Sequence, residues 1–134
     1  MEYDTKYSGA PFPAVWIRIS FQHQGNAVRI GPFRAYVDTG ADVTCIPASV
    51  LPTESKHYQT TIPVRYADGS RRTRPGIIIP YAVVDFRDRA GNWVNGPTYN
   101  PLKLILISDA FLGRDVLNQH VTLLDGPKLN LSII

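Results

Sequence analysis

Short apolar runs interrupted by proline and glycine are the feature that most limits the folds open to this chain. Among its 134 residues, 11 are proline and 10 are glycine. The runs between them are rich in Val, Ile, Thr and Tyr, which favour strands, whereas Pro and Gly favour turns. The sequence therefore predicts an all-β fold of short strands, organised as a single domain over residues 1–134.

Apolar alternation and turn residues predict the order of the elements. The dipeptide Asp68-Gly69 lies between two β-rich arms and indicates a long hairpin, and a second hairpin is expected to turn within residues 88–93. Residues 113–120 have helical character, which predicts one short helix near the C-terminus. The predicted strands occupy residues 14–21, 27–39, 43–47, the arms of 60–86, 102–108, and two segments within 121–134.

Charge and cysteine content exclude several classes of function. The 14 basic and 11 acidic residues give a net charge of +3, which is too mild to indicate nucleic acid binding by itself. Cys45 is the single cysteine, so neither an intrachain disulfide nor a cysteine metal cluster can form. The three histidines lack ligand spacing, and we expect no metal and no cofactor.

Targeting signals are also missing from the pattern of the sequence. The first fifteen residues lack a basic start followed by an apolar run, and no apolar stretch approaches the length of a membrane span. We expect a soluble protein without a signal peptide or a membrane partner. Its location stays open, with the cytoplasm or the particle of a virus or mobile element as the expected settings.

The stretch AYVDTGADVTCIP, residues 35–47, places an acidic residue directly after an apolar run. Burial at the end of a strand raises the pKa of a carboxyl group unless other groups compensate. Thr39 can donate a hydrogen bond to Asp38, and Gly40 lets the backbone turn sharply. Taken alone, the triplet Asp38-Thr39-Gly40 also fits a plain turn that ends a strand.

A second stretch, LILISDAFLGRDVL at residues 104–117, favours a functional interpretation of the triplet over a plain turn. In the order YVDTGAD, VRYADGSRRTR and FLGRDVL, the chain resembles the retropepsin-like aspartic proteases, the family of the retroviral proteases. The resemblance covers about residues 14–133. It implies a closed β-barrel with one short C-terminal helix, assembled as a homodimer. It also implies an aspartic endopeptidase that cleaves peptide or protein substrates.

The chemistry of such an enzyme requires two carboxylates that share one proton. Like charges about 3 Å apart cannot both ionise, so one group can act as a base while the other acts as an acid. This chain has one such triplet and is too short for two lobes. The partner of Asp38 is therefore expected to be Asp38 of a second chain, related by a two-fold axis.

The resemblance assigns roles to individual residues. Asp38 is the catalytic residue, Thr39 hydrogen-bonds across the dimer axis, and Gly40 offers its backbone to the substrate and the carboxylate. Because Ala41 lacks a hydroxyl that would stabilise the ionised pair, we expect a pH optimum of about 4–6. The expected substrate-binding residues flank the triplet, form the tip of a flap at 64–75, or precede Gly113: Tyr36, Ala41, Asp42, Ala67, Asp68, Gly69 and Phe111.

Several of these assignments have plainer alternatives. Asp42 and Arg114 are expected to form an ion pair that holds the loop against the helix, but they also fit unrelated surface charges. Tyr36 and Phe111 either line substrate pockets or are core aromatics. Residues 86–101 resemble an insertion, in which Trp93 and Tyr99 form either an added contact surface or ordinary packing. The viral enzymes interleave their termini at the dimer interface, and the sequence leaves open whether this chain does.

Two further functions compete with proteolysis. One is a catalytically silent dimeric module of the same fold that binds peptides, which the intact triplet disfavours. The other is an unrelated small β-barrel that binds nucleic acid through SRRTR, residues 70–74, which leaves both motifs unexplained. A solvated charged face is the commoner explanation for that run of arginines, and a preference for acidic substrates or contact with nucleic acid is a weaker alternative. Nucleic acid is therefore disfavoured as a partner.

Overall fold

A computed structural model describes residues 3–6, 13–66, 68–120, 122–125 and 130–133. Most of this part of the chain is strand, which confirms the predicted all-β class. The helical segments are the 3-10 helices Ala48–Val50 and Thr53–Tyr58 and a one-turn helix, α1 (Arg114–Leu117). The strands are β1 (Tyr3–Lys6), β2 (Ala14–His23), β3 (Asn26–Val37), β4 (Cys45–Pro47), β5 (Gln59–Arg65), β6 (Arg71–Ile79), β7 (Ala82–Arg87), β8 (Trp93–Val94), β9 (Thr98–Tyr99), β10 (Leu102–Ile107), β11 (Phe111–Leu112), β12 (Thr122–Asp125) and β13 (Asn130–Ile133).

Ten strands form one sheet that curls into a half-barrel. Their order is β5-β6-β10-β4-β11-β3-β2-β7-β8, with β9 paired to β7. Two of the pairings, β10 with β4 and β11 with β3, are parallel and join strands far apart in sequence. These pairings bring the C-terminal end of β3 and the short strand β11 side by side near the middle of the sheet.

The core is built by period-two alternation along the long strands, because successive side chains of a strand point to opposite faces. In β2, Ile17 and Ile19 are fully buried while Trp16 is 42% exposed. The largest fully buried side chains come from most of the ten-stranded sheet and, in one case, from β13: Ile17, Ile19, Ile30, Ile46, Ile77, Ile79, Phe86, Leu102, Leu104, Leu112 and Ile133. The core therefore lies directly behind β3 and β11, the strands that end at Val37 and Leu112.

Strands β5 and β6 form a long antiparallel hairpin at the end of the sheet, which we call the 59–79 hairpin. Its turn is closed by hydrogen bonds from Gly69 N to Tyr66 O and from Tyr66 N to Ser70 O, both 2.9 Å long. Gly69 has a φ of +84°, a conformation that glycine adopts without steric cost. The base of β6 continues into the sheet by pairing with β10.

A separate three-stranded sheet joins the first and the last described strands, in the order β1-β13-β12. Tyr3 lies opposite Ile133, so the N-terminal strand pairs with the C-terminal strand of the same chain. The two edges of β13 are therefore both occupied within one subunit. This arrangement differs from the interleaving of termini between subunits in the viral enzymes, which the sequence left open for this chain.

The segment that resembles an insertion packs onto the outer end of the sheet. The Arg18 guanidinium lies 4.5 Å from the centre of the Trp93 ring, and Arg18 Nε is 3.0 Å from Asp85 Oδ2. Gly96 N donates to Asp85 Oδ1 at 3.1 Å, and Tyr99 packs against the hydrophobic core. Of the two alternatives for Trp93 and Tyr99, the structure favours packing.

The helical prediction for residues 113–120 is too long. The α-helix is confined to Arg114–Leu117, and residues 118–120 form a turn. The helix is short because the chain must enter β12 at Thr122. Among the residues that the structure describes, no helix is long and apolar enough to cross a bilayer.

Candidate active site

The start of the loop between β3 and β4, residues 38–44, is fixed by backbone hydrogen bonds to β11 and to Pro13, the residue before β2. Asp38 N donates to Leu112 O of β11 at 3.0 Å, and Val37 N donates to Pro13 O at 2.8 Å. Because β3 ends at Val37 between these two contacts, the position of the Asp38 backbone is set by the sheet. The carboxyl group thus projects from a rigid element.

The triplet Asp38-Thr39-Gly40 forms a tight turn that orients its own carboxylate. Gly40 N donates to Asp38 Oδ1 at 3.0 Å, and Ala41 N donates to Asp38 O at 3.2 Å. A methyl group at position 40 would lie 3.4 Å from Asp38 Oδ1. Asp38 is half-buried, whereas Thr39 and Gly40 are exposed. One carboxylate oxygen is therefore held by the turn on a surface that other molecules can reach.

A buried hydroxyl that sequence reasoning missed joins the far side of the loop to α1. The side chain of Thr44 is buried, and its Oγ1 donates to Asp115 Oδ1 at 2.7 Å. The same oxygen accepts from Gly113 N at 3.0 Å, while Thr44 N donates to Asp115 Oδ2 at 3.2 Å. A polar residue inside the apolar run VTCIP was the available signal. Without the fold, nothing indicated its partner 71 positions away.

The partly buried position of Asp115 changes the pKa of its carboxyl group. Burial raises its pKa above the ordinary value, and the hydrogen bonds from Thr44 and Val116 oppose that rise. Val116 N donates to Asp115 Oδ1 at 2.9 Å, so the carboxylate also satisfies the start of α1. The helix, β4 and the loop are thus connected through one side chain.

A second connection between loop and helix is exposed. Arg114 Nη2 forms a salt bridge with Asp42 Oδ1, and the side chains are 50% and 70% exposed. Arg114 N also donates to Ala41 O at 2.8 Å. The structure therefore brings together the two residues for which the sequence suggested an ion pair. Exposed pairs of this kind contribute about 0.2–1 kcal/mol, so the buried Thr44 contacts are expected to matter more.

Tyr36 and Phe111 form an aromatic pair beside the loop. They lie opposite each other in the parallel pairing of β3 and β11, with ring centres 5.9 Å apart. Tyr36 is 38% exposed and Phe111 is half-buried, so neither is a fully buried core aromatic.

On the other side of Phe111 lies Cys45. Burial, helped by the charges of Asp115 and Asp38, raises the pKa of Cys45 to about 11.

The tip of the 59–79 hairpin is described in part. Ala67 lies outside the described residues, and Asp68 and Gly69 are exposed. Asp68 Oδ1 accepts from Ser70 N at 2.8 Å. Hydrogen bonds from the Ser70 side chain and backbone lower the pKa of Asp68. No described hydrogen bond or ion pair joins Asp68 or Gly69 to the Asp38 loop. In the single chain, the structure therefore leaves these two expected substrate contacts apart from the carboxylate.

The chemistry available at this site is that of an oriented carboxyl group. Among the described residues, no three His, Cys, Asp or Glu side chains are grouped so that they could hold a metal ion. A family model described as "Retroviral aspartyl protease" matches residues 10–125, which include the loop, the hairpin and α1. The comparison with curated proteins finds no match.

Proposed function

Because the chain belongs to the retroviral aspartyl protease family, we propose that it is an aspartic endopeptidase that acts as a homodimer. The observation that carries the proposal is the setting of Asp38. Its carboxylate is half-buried, oriented by Gly40 N, and anchored through its backbone to Leu112. The chain supplies one such group, and the reaction needs two.

In the proposed dimer, a two-fold axis brings the two Asp38 carboxyl groups together to share one proton. The ionised Asp38 takes a proton from a water molecule, whose oxygen attacks the scissile carbonyl carbon. The protonated Asp38 donates its proton to the carbonyl oxygen. The tetrahedral species collapses when the amide nitrogen receives a proton and leaves, so no covalent intermediate with the protein forms.

The exposed residues of the triplet suit this arrangement. Thr39 points away from the core and is available for a hydrogen bond across the axis, and Gly40 leaves room for the approach of a substrate backbone. We propose that an extended peptide binds as an added strand beneath the 59–79 hairpin, which acts as the flap. The Tyr36–Phe111 pair then offers an apolar wall for a side chain near the scissile bond.

The test is digestion of a mixed peptide library at pH 5 by the wild type and by Asp38→Asn. General acid–base catalysis accounts for about 10²- to 10⁴-fold in rate, so we expect cleavage by the variant to fall by at least that factor. Glu54→Gln, an isosteric change at an exposed carboxylate of a 3-10 helix, serves as the matched control and should cleave like the wild type. Equal cleavage by wild type and Asp38→Asn would rule out the mechanism.

The pH dependence and the oligomeric state provide two further checks. Without a hydroxyl at Ala41, the pair of Asp38 groups is expected to give a bell-shaped profile of kcat/KM centred at about pH 4–6. Sedimentation at increasing concentration should show a dimer, and specific activity should rise with the dimer fraction. Full activity in a monomeric sample would contradict the shared site.

A further inference from the structure

The 59–79 hairpin carries the entire net charge of the protein. Its five ionisable acidic and basic residues are one aspartate, Asp68, and four arginines: Arg65, Arg71, Arg72 and Arg74. The hairpin therefore has a net charge of +3, equal to that of the whole chain, because the other 10 basic and 10 acidic residues cancel. A charge so concentrated lies on the element that covers the site in the proposed enzyme.

The register of the hairpin divides these arginines between its two faces. Arg65 lies directly opposite Arg71, whereas Arg72 and Arg74 lie opposite Val64 and Ile62. Opposite residues of an antiparallel pair share a face, and neighbours in sequence alternate. Each face therefore presents two guanidinium groups. The direct Arg65–Arg71 pairing is unfavourable for the hairpin itself, because like charges opposite each other destabilise a strand pair.

The four cations are left uncompensated by the rest of the described chain. All four arginines are exposed, and no described carboxylate lies within salt-bridge distance of any of them. Asp68, the one acid of the hairpin, is instead bonded to the backbone of Ser70. The charge is therefore free to attract an external anion.

Tyr66 holds two of the guanidinium groups in place without neutralising them. Arg72 and Arg74 lie 5.6 and 5.9 Å from the centre of its ring, and Arg74 Nε donates to Tyr66 Oη at 2.7 Å. Cation–π contact and this hydrogen bond restrict the side chains while their remaining N–H groups stay available. A fixed guanidinium binds a carboxylate with less loss of conformational freedom than a mobile one.

We propose that the hairpin selects acidic peptides, with Asp or Glu flanking the scissile bond. This inference rests on the proposed protease function. A strand bound beneath the hairpin meets two guanidinium groups whichever face is turned toward it, and four in the dimer. Nucleic acid fits less well, because single strands bind by stacking bases on aromatic rings. The one aromatic ring of the hairpin, Tyr66, is already in contact with Arg72 and Arg74.

The experiment compares two ten-residue peptides with a central Phe-Phe, flanked on each side by either Glu or its uncharged isostere Gln. Exposed charge pairs are weak singly, so we expect kcat/KM to be about 3- to 20-fold higher for the Glu peptide at low salt. The ratio should fall toward one at high ionic strength. The double variant Arg71→Gln, Arg72→Gln removes one cation from each face and should lower the ratio. Arg29→Gln, an exposed arginine of β3, should leave it unchanged.

The outcomes separate this inference from the function on which it rests. Asp38-dependent cleavage with equal kcat/KM for both peptides overturns the inference and leaves the protease intact. If neither peptide is cleaved, fluorescence polarisation with the same labelled peptides tests the charge preference directly, and equal affinities overturn it. Tighter, salt-sensitive binding of a single-stranded DNA oligonucleotide that displaces the Glu peptide would assign the arginines to nucleic acid instead.

Discussion

The Asp38 loop and the 59–79 hairpin are parts of one sheet, yet they are held by different kinds of interaction. The loop is tied to its surroundings by short hydrogen bonds between buried groups, above all those of Thr44. Beyond its base, where β6 pairs with β10, the hairpin depends on its own ladder and carries exposed arginines at the end of the sheet. A buried network resists local opening, whereas an exposed edge opens at low cost in free energy.

This difference suits the division of tasks in the proposed enzyme. A catalytic carboxyl group needs a position fixed to within a fraction of an ångström, which a rigid scaffold supplies. A covering hairpin needs to move aside for the substrate and to attract it. Substitutions in the loop region should therefore reduce stability and kcat together, while substitutions on the hairpin surface should act through KM.

The largest effect on stability is expected from Thr44→Val. The change keeps the shape of the side chain but leaves Asp115 and the N–H of Gly113 without their bonds to the hydroxyl. Since each unsatisfied buried group costs about 1–3 kcal/mol, unfolding in urea should show a loss of about 2–4 kcal/mol. Thr73→Val, on the exposed hairpin, should change stability by about 0.5 kcal/mol or less. Similar losses for the two variants would erase the contrast between the regions.

A smaller loss is expected from Gly76→Ala, at the base of the hairpin. A Cβ there would overlap Ile62 Cδ1 and lie 2.7 Å from Leu104 O, so β6 must shift away from β10. Such overpacking typically costs about 1–3 kcal/mol, which thermal denaturation can measure. Gly69→Ala is the control at the tip, where no atom lies within 4 Å and only the strain of φ +84° remains. A larger loss of stability in Gly76→Ala than in Gly69→Ala would show that the base of the hairpin is as tightly packed as the loop region. A larger loss in Gly69→Ala would contradict this.

The protonation of Asp115 gives the loop region a pH dependence. Because burial raises its pKa, the folded chain holds this proton more tightly than the unfolded chain does. Its contribution to the free energy of unfolding is full below the unfolded pKa and declines as pH rises through the folded pKa. Asp115→Asn has no such proton. In thermal denaturation, the Tm of the wild type should therefore rise relative to that of the variant as pH falls from 7 to 4. A wild-type Tm that falls relative to the variant over this range would contradict the assignment.

The smallest effect is expected at the exposed ion pair. Arg114→Gln removes the salt bridge to Asp42 but keeps the backbone bond from position 114 to Ala41 O. We expect a loss of about 1 kcal/mol or less, reduced further by added salt. A loss as large as that of Thr44→Val would mean that the charge pair, rather than the buried hydroxyl, holds the loop against the helix.

Local patterns accounted for much of the fold. Alternation in AVWIRISF predicted β2, and the Asp68-Gly69 dipeptide placed the turn of the long hairpin. The expected strand at 102–108 corresponds to β10. These elements were predictable because their signals are properties of a few adjacent residues, namely period-two burial and turn conformation.

The remaining features depend on partners distant in sequence. The parallel pairing of β11 with β3 is set by packing across the sheet, and no local pattern encodes it. The 3-10 helix at Thr53–Tyr58 was missed because its sequence has no helical repeat. The motifs predict Asp38 as the catalytic residue, and they also predicted the pairing of Arg114 with Asp42 that the structure shows. The link between Thr44 and Asp115 could not be predicted, because only the fold brings the two residues together.

The reactivity of Cys45 can report on the motion of the strand beneath the Asp38 loop. It is the single thiol of the chain and lies on β4, between β10 and β11. Because burial raises its pKa to about 11, Cys45 carries little thiolate near neutral pH, and it should react faster when the strand opens and its pKa falls toward the ordinary value. The rate at which Cys45 of the unmodified protein reacts with iodoacetamide therefore reports on the opening of β4 beneath the Asp38 loop. A bound peptide that restrains the loop will slow that reaction.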